Sequence, residues 1–138
     1  MWHATKVYLA LVPIFLVVDL TYLGLIMTGF YKSELGPLAR RVGDSLTPVY
    51  WAAAAVYLLI PLGIVLFALP RVSSQNVLLS GLFWGFLYGV TLYGVYDMTN
   101  YSLIKDWPLR MSFADIAWGG VLCALMTYVA ALLDGWVK

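Results

Sequence analysis

Residues 77–97 read VLLSGLFWGFLYGVTLYGVYD, and this stretch of sequence decides the fold. Its 21 residues are almost all apolar, and as an α-helix they would be about 30 Å long, the thickness of the hydrocarbon core of a bilayer. Glycines at 81, 85 and 89 recur at four-residue steps, a pattern that lets two membrane helices approach closely. Because residues four apart share a helix face, this glycine row continues to Tyr93 and Asp97, and we expect Asp97 to face protein.

Three further apolar stretches of spanning length lie at about 7–29, 49–69 and 112–133. Hydrophobic residues make up 63% of the 138-residue chain and charged residues only 11%, a composition that a soluble domain does not need. We therefore predict an all-α protein, a four-helix transmembrane bundle whose third span is 77–97. The spans leave no room for a soluble domain, so residues 1–138 are expected to form a single transmembrane domain with an interfacial connection at 30–48.

The rest of the composition excludes several classes of function. A net charge of +1 provides no basic surface for nucleic acid, so we predict no nucleic-acid partner. The only cysteine is Cys123, and the only histidine is His3, at the terminus and on the side opposite Asp97 and Asp115 in the predicted topology. A histidine-rich metal centre, a Ser-His-Asp triad and a Cys-His pair are therefore excluded. We predict no cofactor, and we assign no catalytic residue and no dedicated metal ligand.

Three aspartates lie within or at the edge of predicted membrane spans: Asp19 in the first span, Asp97 at the end of the third and Asp115 at the start of the fourth. An ionised carboxylate at the centre of a membrane helix costs about 2.5 to 3.5 kcal/mol on insertion scales, so we expect these acids to gather in one buried site. Polar and aromatic residues at helical spacing complete a predicted ligand- or ion-binding site, which consists of Asp19, Tyr22, Tyr93, Asp97, Asn100, Asp115 and Trp118.

One of these acids, Asp115, also has an alternative interpretation that is purely structural. Ser112 and Asp115 have the spacing of a capping box, in which Asp115 would satisfy N–H groups at the start of the fourth span. Thr47 before Pro48 likewise predicts an N-cap and a first-turn proline for the second span. Asp97 has no such explanation, because a negative charge near a helix C-terminus is unfavourable.

The chemistry of the predicted site is limited to oxygen ligands and aromatic rings. Carboxylates suit protons or hard cations such as Na⁺, Mg²⁺ and Ca²⁺, and aromatic walls beside carboxylates suit organic cations. Two carboxylates in different environments could also act as acid and base. Three functions remain open: binding or transport of a proton, cation or small amphipathic ligand; a membrane-embedded enzyme acting on a lipid or isoprenoid; and an accessory structural subunit of a larger membrane complex.

The distribution of basic residues favours both termini outside the cytoplasm, because the first and third connections carry most of them: Lys32, Arg40, Arg41, Lys105 and Arg110. In that orientation Asp97 and Asp115 lie at the cytoplasmic end of the bundle. Besides the lipid bilayer, the expected partner is a second copy of the chain or a larger membrane complex, since four short helices enclose little volume. The glycine row at 81, 85 and 89 is one candidate homodimer interface.

Several short motifs occur together along the chain: Asp19-x-x-Tyr22-Leu23-Gly24, Tyr93-Gly94-x-Tyr96-Asp97-x-Thr99-Asn100, Trp107-Pro108 and Asp115-x-x-Trp118-Gly119. In this combination the sequence resembles a family of small bacterial four-helix integral membrane proteins known as a domain of unknown function. The resemblance covers nearly the whole chain and is most specific over residues 93–119. It implies a four-span fold in the bacterial inner membrane, with these polar positions as the family's signature, and it implies no particular activity.

Overall fold

Helices account for most of residues 2–137, the part of the chain that the computed structural model describes; Met1 and Lys138, the ends of the predicted domain, lie outside it. The regular elements in chain order are α1 (Trp2–Thr21), α2 (Thr28–Leu35), β1 (Arg41–Val42), β2 (Ser45–Leu46), α3 (Tyr50–Gly63), α4 (Val77–Leu103) and α5 (Leu109–Trp136). Wider, π-helical turns continue α1 over Tyr22–Ile26 and α3 over Ile64–Ala68. Short 3₁₀ turns follow at Gly36–Leu38 and Leu69–Arg71.

Four of these helical segments are long and apolar enough to cross a bilayer: Trp2–Ile26, Tyr50–Arg71, Val77–Leu103 and Leu109–Trp136. The prediction of an all-α protein with four spans, consistent with a membrane bundle, is confirmed. The first and third connections, 27–49 and 104–108, lie at one end of the bundle, which we call the site end.

Two span boundaries differ from the prediction and change the setting of two acids. The first span begins at Trp2, because the single charge of Lys6 does not interrupt the helix, and Asp19 therefore lies towards its end rather than near its middle. The third span continues to Leu103, since no glycine or proline interrupts residues 98–103. Asp97 therefore lies inside a helix, and the expectation that it meets an unfavourable helix end is wrong.

The predicted cap of the second span is also wrong. Its helix begins at Tyr50 after Val49, with no side-chain cap. Thr47 is engaged elsewhere: its N–H donates to the carbonyl of Arg40 at 2.9 Å and its hydroxyl faces the carbonyl of Ser45 at 3.3 Å. These bonds tie Thr47 to the β1–β2 hairpin, in which Arg41 pairs with Leu46, so it cannot cap α3.

The glycine row of α4 packs against α5. Gly81, Gly85, Gly89 and Asp97 are the buried residues of α4. A methyl group at Gly85 would lie 2.7 Å from Cα of Ala124, and at Gly89 it would overlap the backbone carbonyl of Gly119. The row permits a close approach of two helices, as predicted, and the structure identifies the fourth span as its partner. It is occupied within the chain, so its interpretation as a homodimer interface is wrong.

The apolar core lies in the half of the bundle away from the site end, and its fully buried large side chains include Phe15, Leu11, Ile64 and Leu122. The second span contacts α4 mainly through Ile64–Ala68 and Leu69–Arg71, and α3 itself packs on α1. The start of α3 and the end of α4 therefore stand apart at the site end.

Candidate functional site

Asp19 is held by aromatic side chains from two other helices. The residue is only 5% exposed, and its Oδ1 accepts a 2.8 Å hydrogen bond from the indole Nε1 of Trp118 on α5. The hydroxyl of Tyr57 on α3 approaches the same carboxylate. Three spans therefore meet at this one acid.

Stacking fixes the orientation of the Trp118 indole. The ring of Tyr22 lies parallel to it, with centroids 3.6 Å apart and an interplanar angle of 9°. Tyr22 is the first residue of the π-helical turn, and such turns often occur at functional sites. Thr28 donates to the carbonyls of Leu23 and Gly24 at 2.7 and 2.6 Å, which satisfies backbone groups at the end of this turn. The irregular helix end thus supports the donor to Asp19.

Asp115 of α5 receives a hydrogen bond from the first connection. The hydroxyl of Tyr31 on α2 donates to its Oδ1 at 2.5 Å. Burial, and then the hydrogen bond to this carboxylate, raise the pKa of the Tyr31 phenol above its ordinary value, so the phenol keeps its proton and remains a donor. The connection predicted to be merely interfacial therefore supplies a residue of the site.

Asp97 is fully buried, and neither carboxyl oxygen receives a hydrogen bond of acceptable geometry among the described residues. Three groups surround it: the Ser112 hydroxyl, the Trp107 indole and the Asp115 carboxyl. The first two bond each other, since Trp107 Nε1 donates to Ser112 Oγ at 3.0 Å. Asp97 and Asp115 are therefore adjacent carboxyl groups at the interface of α4 and α5.

No basic side chain neutralises these three acids within residues 2–137. Lys32 pairs with Asp44 at 3.2 Å, and Arg110 pairs with Glu34 at 3.6 Å while lying over the ring of Phe30. Leaving a buried charge without a partner typically costs 3–5 kcal/mol. In ionised form these acids would carry an uncompensated negative charge that a cation or a proton would relieve.

A cleft of about 480 Å³ lies where α3 and α4 stand apart. Asp19 and Asp115 lie among its lining residues together with the phenols of Tyr57, Tyr93 and Tyr96. Its remaining lining is aliphatic, and several of these side chains are also exposed on the surface that would face lipid: Val56, Leu59 and Leu92. The cleft thus joins an apolar mouth to an acidic interior, with two phenols inside it and the exposed Tyr96 at its edge.

A second cavity, of about 430 Å³, lies at the opposite end of the bundle. Its acid, Asp134, accepts a 2.7 Å hydrogen bond from Nε2 of His3. That carboxylate already has a partner able to carry positive charge. The cleft at the site end is therefore the better candidate for an unsatisfied binding site.

Comparison with known families gives one match: a family described as "Predicted membrane protein (DUF2177)" matches residues 4–132. The chain belongs to this family. No curated protein and no solved structure matches the chain. Membership of DUF2177 confirms the resemblance seen in the sequence. Together with the four spans it supports a multi-pass membrane location, and the family description names no activity.

Five of the seven predicted site residues of this DUF2177 member lie close together in the structure. Asp19, Trp118 and Tyr22 form one connected group, and Asp115 lies beside Asp19 in the wall of the cleft. Tyr93 also lines the cleft, with its ring packed flat on Gly119.

The other two predicted residues, Asp97 and Asn100, neither line the cleft nor contact Asp19. Asp97 is sealed behind Asp115 and is absent from the lining. The side chain of Asn100 interacts with Tyr96 rather than with a carboxyl group. Asn100 therefore lies on the same helix as Asp97 but is not among the neighbours of its carboxyl group.

The sequence patterns did not reveal that Tyr31, Tyr57 and Tyr96 lie beside these acids or in the wall of the cleft. A phenol in the middle of an apolar span, as at Tyr57, is a signal for a polar neighbour on another helix. Tyr31 carried no such signal, because its bond to Asp115 joins residues 84 apart in the chain.

The capping-box interpretation of Asp115 is wrong. The fourth span begins at Leu109, so Ser112 lies one turn inside the helix and its hydroxyl faces the carbonyl of Pro108 at 3.4 Å. Asp115 lies further along the helix and is bonded by Tyr31 instead. Asp115 therefore lies in the wall of the cleft and does not cap the helix.

Proposed function

We propose that the cleft is a membrane-embedded binding site for a small amphipathic cation, whose apolar part lies between α3 and α4 and whose charged group lies at Asp19 and Asp115. The observation that carries this proposal is the placement of two carboxylates inside a cleft whose mouth is aliphatic. Pockets of about 300–1,000 Å³ with a few convergent polar groups are typical of small-molecule sites.

The walls of the cleft favour an organic cation over a bare metal ion. Ca²⁺ takes six to eight oxygen ligands and Mg²⁺ near-ideal octahedral geometry, whereas the cleft offers two carboxylates among phenols and aliphatic side chains. Phenol rings attract an ammonium group through their faces. An aliphatic tail of the ligand would cover the apolar side chains that line the cleft and would fill its volume.

The proposal also covers the side of the membrane on which the cleft lies and the relation of binding to transport. The excess of basic residues at the site end favours a cytoplasmic location for the cleft in the bacterial inner membrane. Transport would additionally require access from the opposite end of the bundle, and the packed apolar core lies between that end and the cleft. Binding is therefore the primary function that we propose, and transport would build on it.

One observation favours an enzyme as the second candidate. Asp97 and Asp115 are adjacent carboxyl groups, of which one lines the cleft and the other is sealed from it. Such a pair could pass a proton to or from a bound lipid. The cleft also makes a purely structural role in a larger complex less attractive, because tight helix packing alone would not leave it.

The charge preference of the cleft tests the proposal. Protein in nanodiscs of zwitterionic lipid is titrated calorimetrically with decyltrimethylammonium and, separately, with decyl maltoside, which has the same chain and no charge. We expect saturable binding of the cation, at least about ten-fold tighter than that of the neutral compound, or about 1.4 kcal/mol. Empty nanodiscs give the background of simple partitioning. Equal binding of the two compounds, or partitioning alone, would contradict the proposal.

A further inference from the structure

Within the described part of the chain, Asp97 is the buried acid whose hydrogen-bonding capacity is least satisfied. It is fully buried, it lies within α4 and both of its carboxyl oxygens lack a hydrogen-bond donor. The glycine row that precedes it packs the same face of α4 onto α5. A carboxylate in this position would be buried and without compensation.

The groups around Asp97 limit how it can be stabilised. From α5 it faces the Ser112 hydroxyl and the Asp115 carboxyl, and from the third connection it faces the Trp107 indole. The indole is already directed to Ser112 and the hydroxyl to the carbonyl of Pro108. The nearest basic side chain on α5, Arg110, is largely exposed and pairs with Glu34.

One partner is left for Asp97, namely the Asp115 carboxyl beside it. Two ionised carboxylates repel each other and have no hydrogen between them, so a bond between them requires a proton on one. Asp115 faces the cleft and accepts from Tyr31, which stabilises its ionised form. No donor reaches Asp97 with acceptable hydrogen-bond geometry, which favours the protonated form there.

We propose that Asp97 is a buried proton-binding site: it holds one proton as a neutral carboxylic acid and donates it in a hydrogen bond to the ionised carboxylate of Asp115. Asp97 is in this view a positioning residue. Together with Tyr31 it keeps Asp115 ionised and oriented towards the cleft, and it does so whether or not a ligand is bound. Only the benefit to cation binding rests on the proposed function.

Infrared spectroscopy of the ligand-free protein at neutral pH tests the proton directly. A protonated carboxylic acid has a carbonyl stretching band that is distinct from carboxylate bands, and ¹³C-labelled aspartate assigns it to this residue type. We expect such a band in the wild type, its loss in Asp97→Asn and its retention in Asp19→Asn. In Asp115→Asn the band should remain but shift, because the acid then donates to a neutral amide oxygen instead of a carboxylate. Absence of the band in the wild type, or its persistence in Asp97→Asn, would overturn the proposal.

Binding of decyltrimethylammonium separates positioning from mere packing. An amide at 97 can still donate to Asp115, so Asp97→Asn should bind within about three-fold of the wild type, whereas Asp97→Leu should lose at least about ten-fold. Equal losses in both variants would overturn the positioning role. If the probe fails to bind the wild type but the infrared band is present and assigned, the proposed function fails and the proton site stands.

Discussion

Replacing Gly89 with alanine is expected to lower the free energy of unfolding by about 3 kcal/mol, the upper part of the range for overpacking. The added methyl group would overlap the carbonyl of Gly119 and lie 2.8 Å from Cβ of Cys123. A backbone atom cannot move aside as a flexible side chain can, so α4 and α5 would have to separate. The measurement is the midpoint of unfolding by sodium dodecyl sulfate in mixed micelles.

Gly94 provides the matched control on the same helix. A methyl group there meets no atom within 4 Å, so Gly94→Ala should unfold at or above the wild-type midpoint. The comparison separates close helix contact from any general effect of removing a glycine. Equal midpoints for Gly89→Ala and Gly94→Ala would show that the third and fourth spans do not pack as closely as the structure has them.

Asp115→Asn is expected to weaken binding of decyltrimethylammonium by about 2 kcal/mol or more, a factor of about thirty in Kd. The amide keeps the size of the side chain but removes the charge that faces the cleft. Asp19→Asn should have an effect of similar size, because the second carboxylate of the cleft is then neutral. The measurement is the calorimetric titration in nanodiscs.

Asp106→Asn makes the same change of charge at the same end of the bundle and serves as the control. Asp106 is exposed, and its backbone φ of 63° is one that asparagine also tolerates. We expect its Kd to stay within about two-fold of the wild type, or about 0.4 kcal/mol. If all three variants weaken binding alike, a diffuse attraction of the cation to the membrane surface would explain the result better than the cleft.

The sequence predicts the spans and their closest contact because both depend on local patterns. Apolar length identifies the four helices, and the spacing of Gly81, Gly85 and Gly89 identifies the face of α4 that meets another helix. Span boundaries were less predictable. Residues around Asp97 are polar enough to suggest a helix end, yet nothing in residues 98–103 stops a helix, and it continues to Leu103.

Within the site, the burial of an acid can be predicted from the sequence more readily than its contacts can. Asp19 and Asp97 had no alternative explanation as surface or capping residues, and both are buried. Their contacts come from distant parts of the chain, as the bond between Asp19 and Trp118 shows. The cleft itself depends on the angle between α3 and α4, which no local pattern encodes.

Photocrosslinking locates the bound cation and tests the central claim most directly. The probe is decyltrimethylammonium with a diazirine in its chain, and adducts are mapped by mass spectrometry in nanodiscs. We predict adducts on residues 53–60 of α3 and 92–96 of α4, which line the cleft, and we expect excess unlabelled cation to suppress them. Asp115→Asn should suppress them as well. Adducts spread over exposed apolar residues elsewhere, such as Leu9, Val17 and Leu79, with no effect of competitor, would contradict the account.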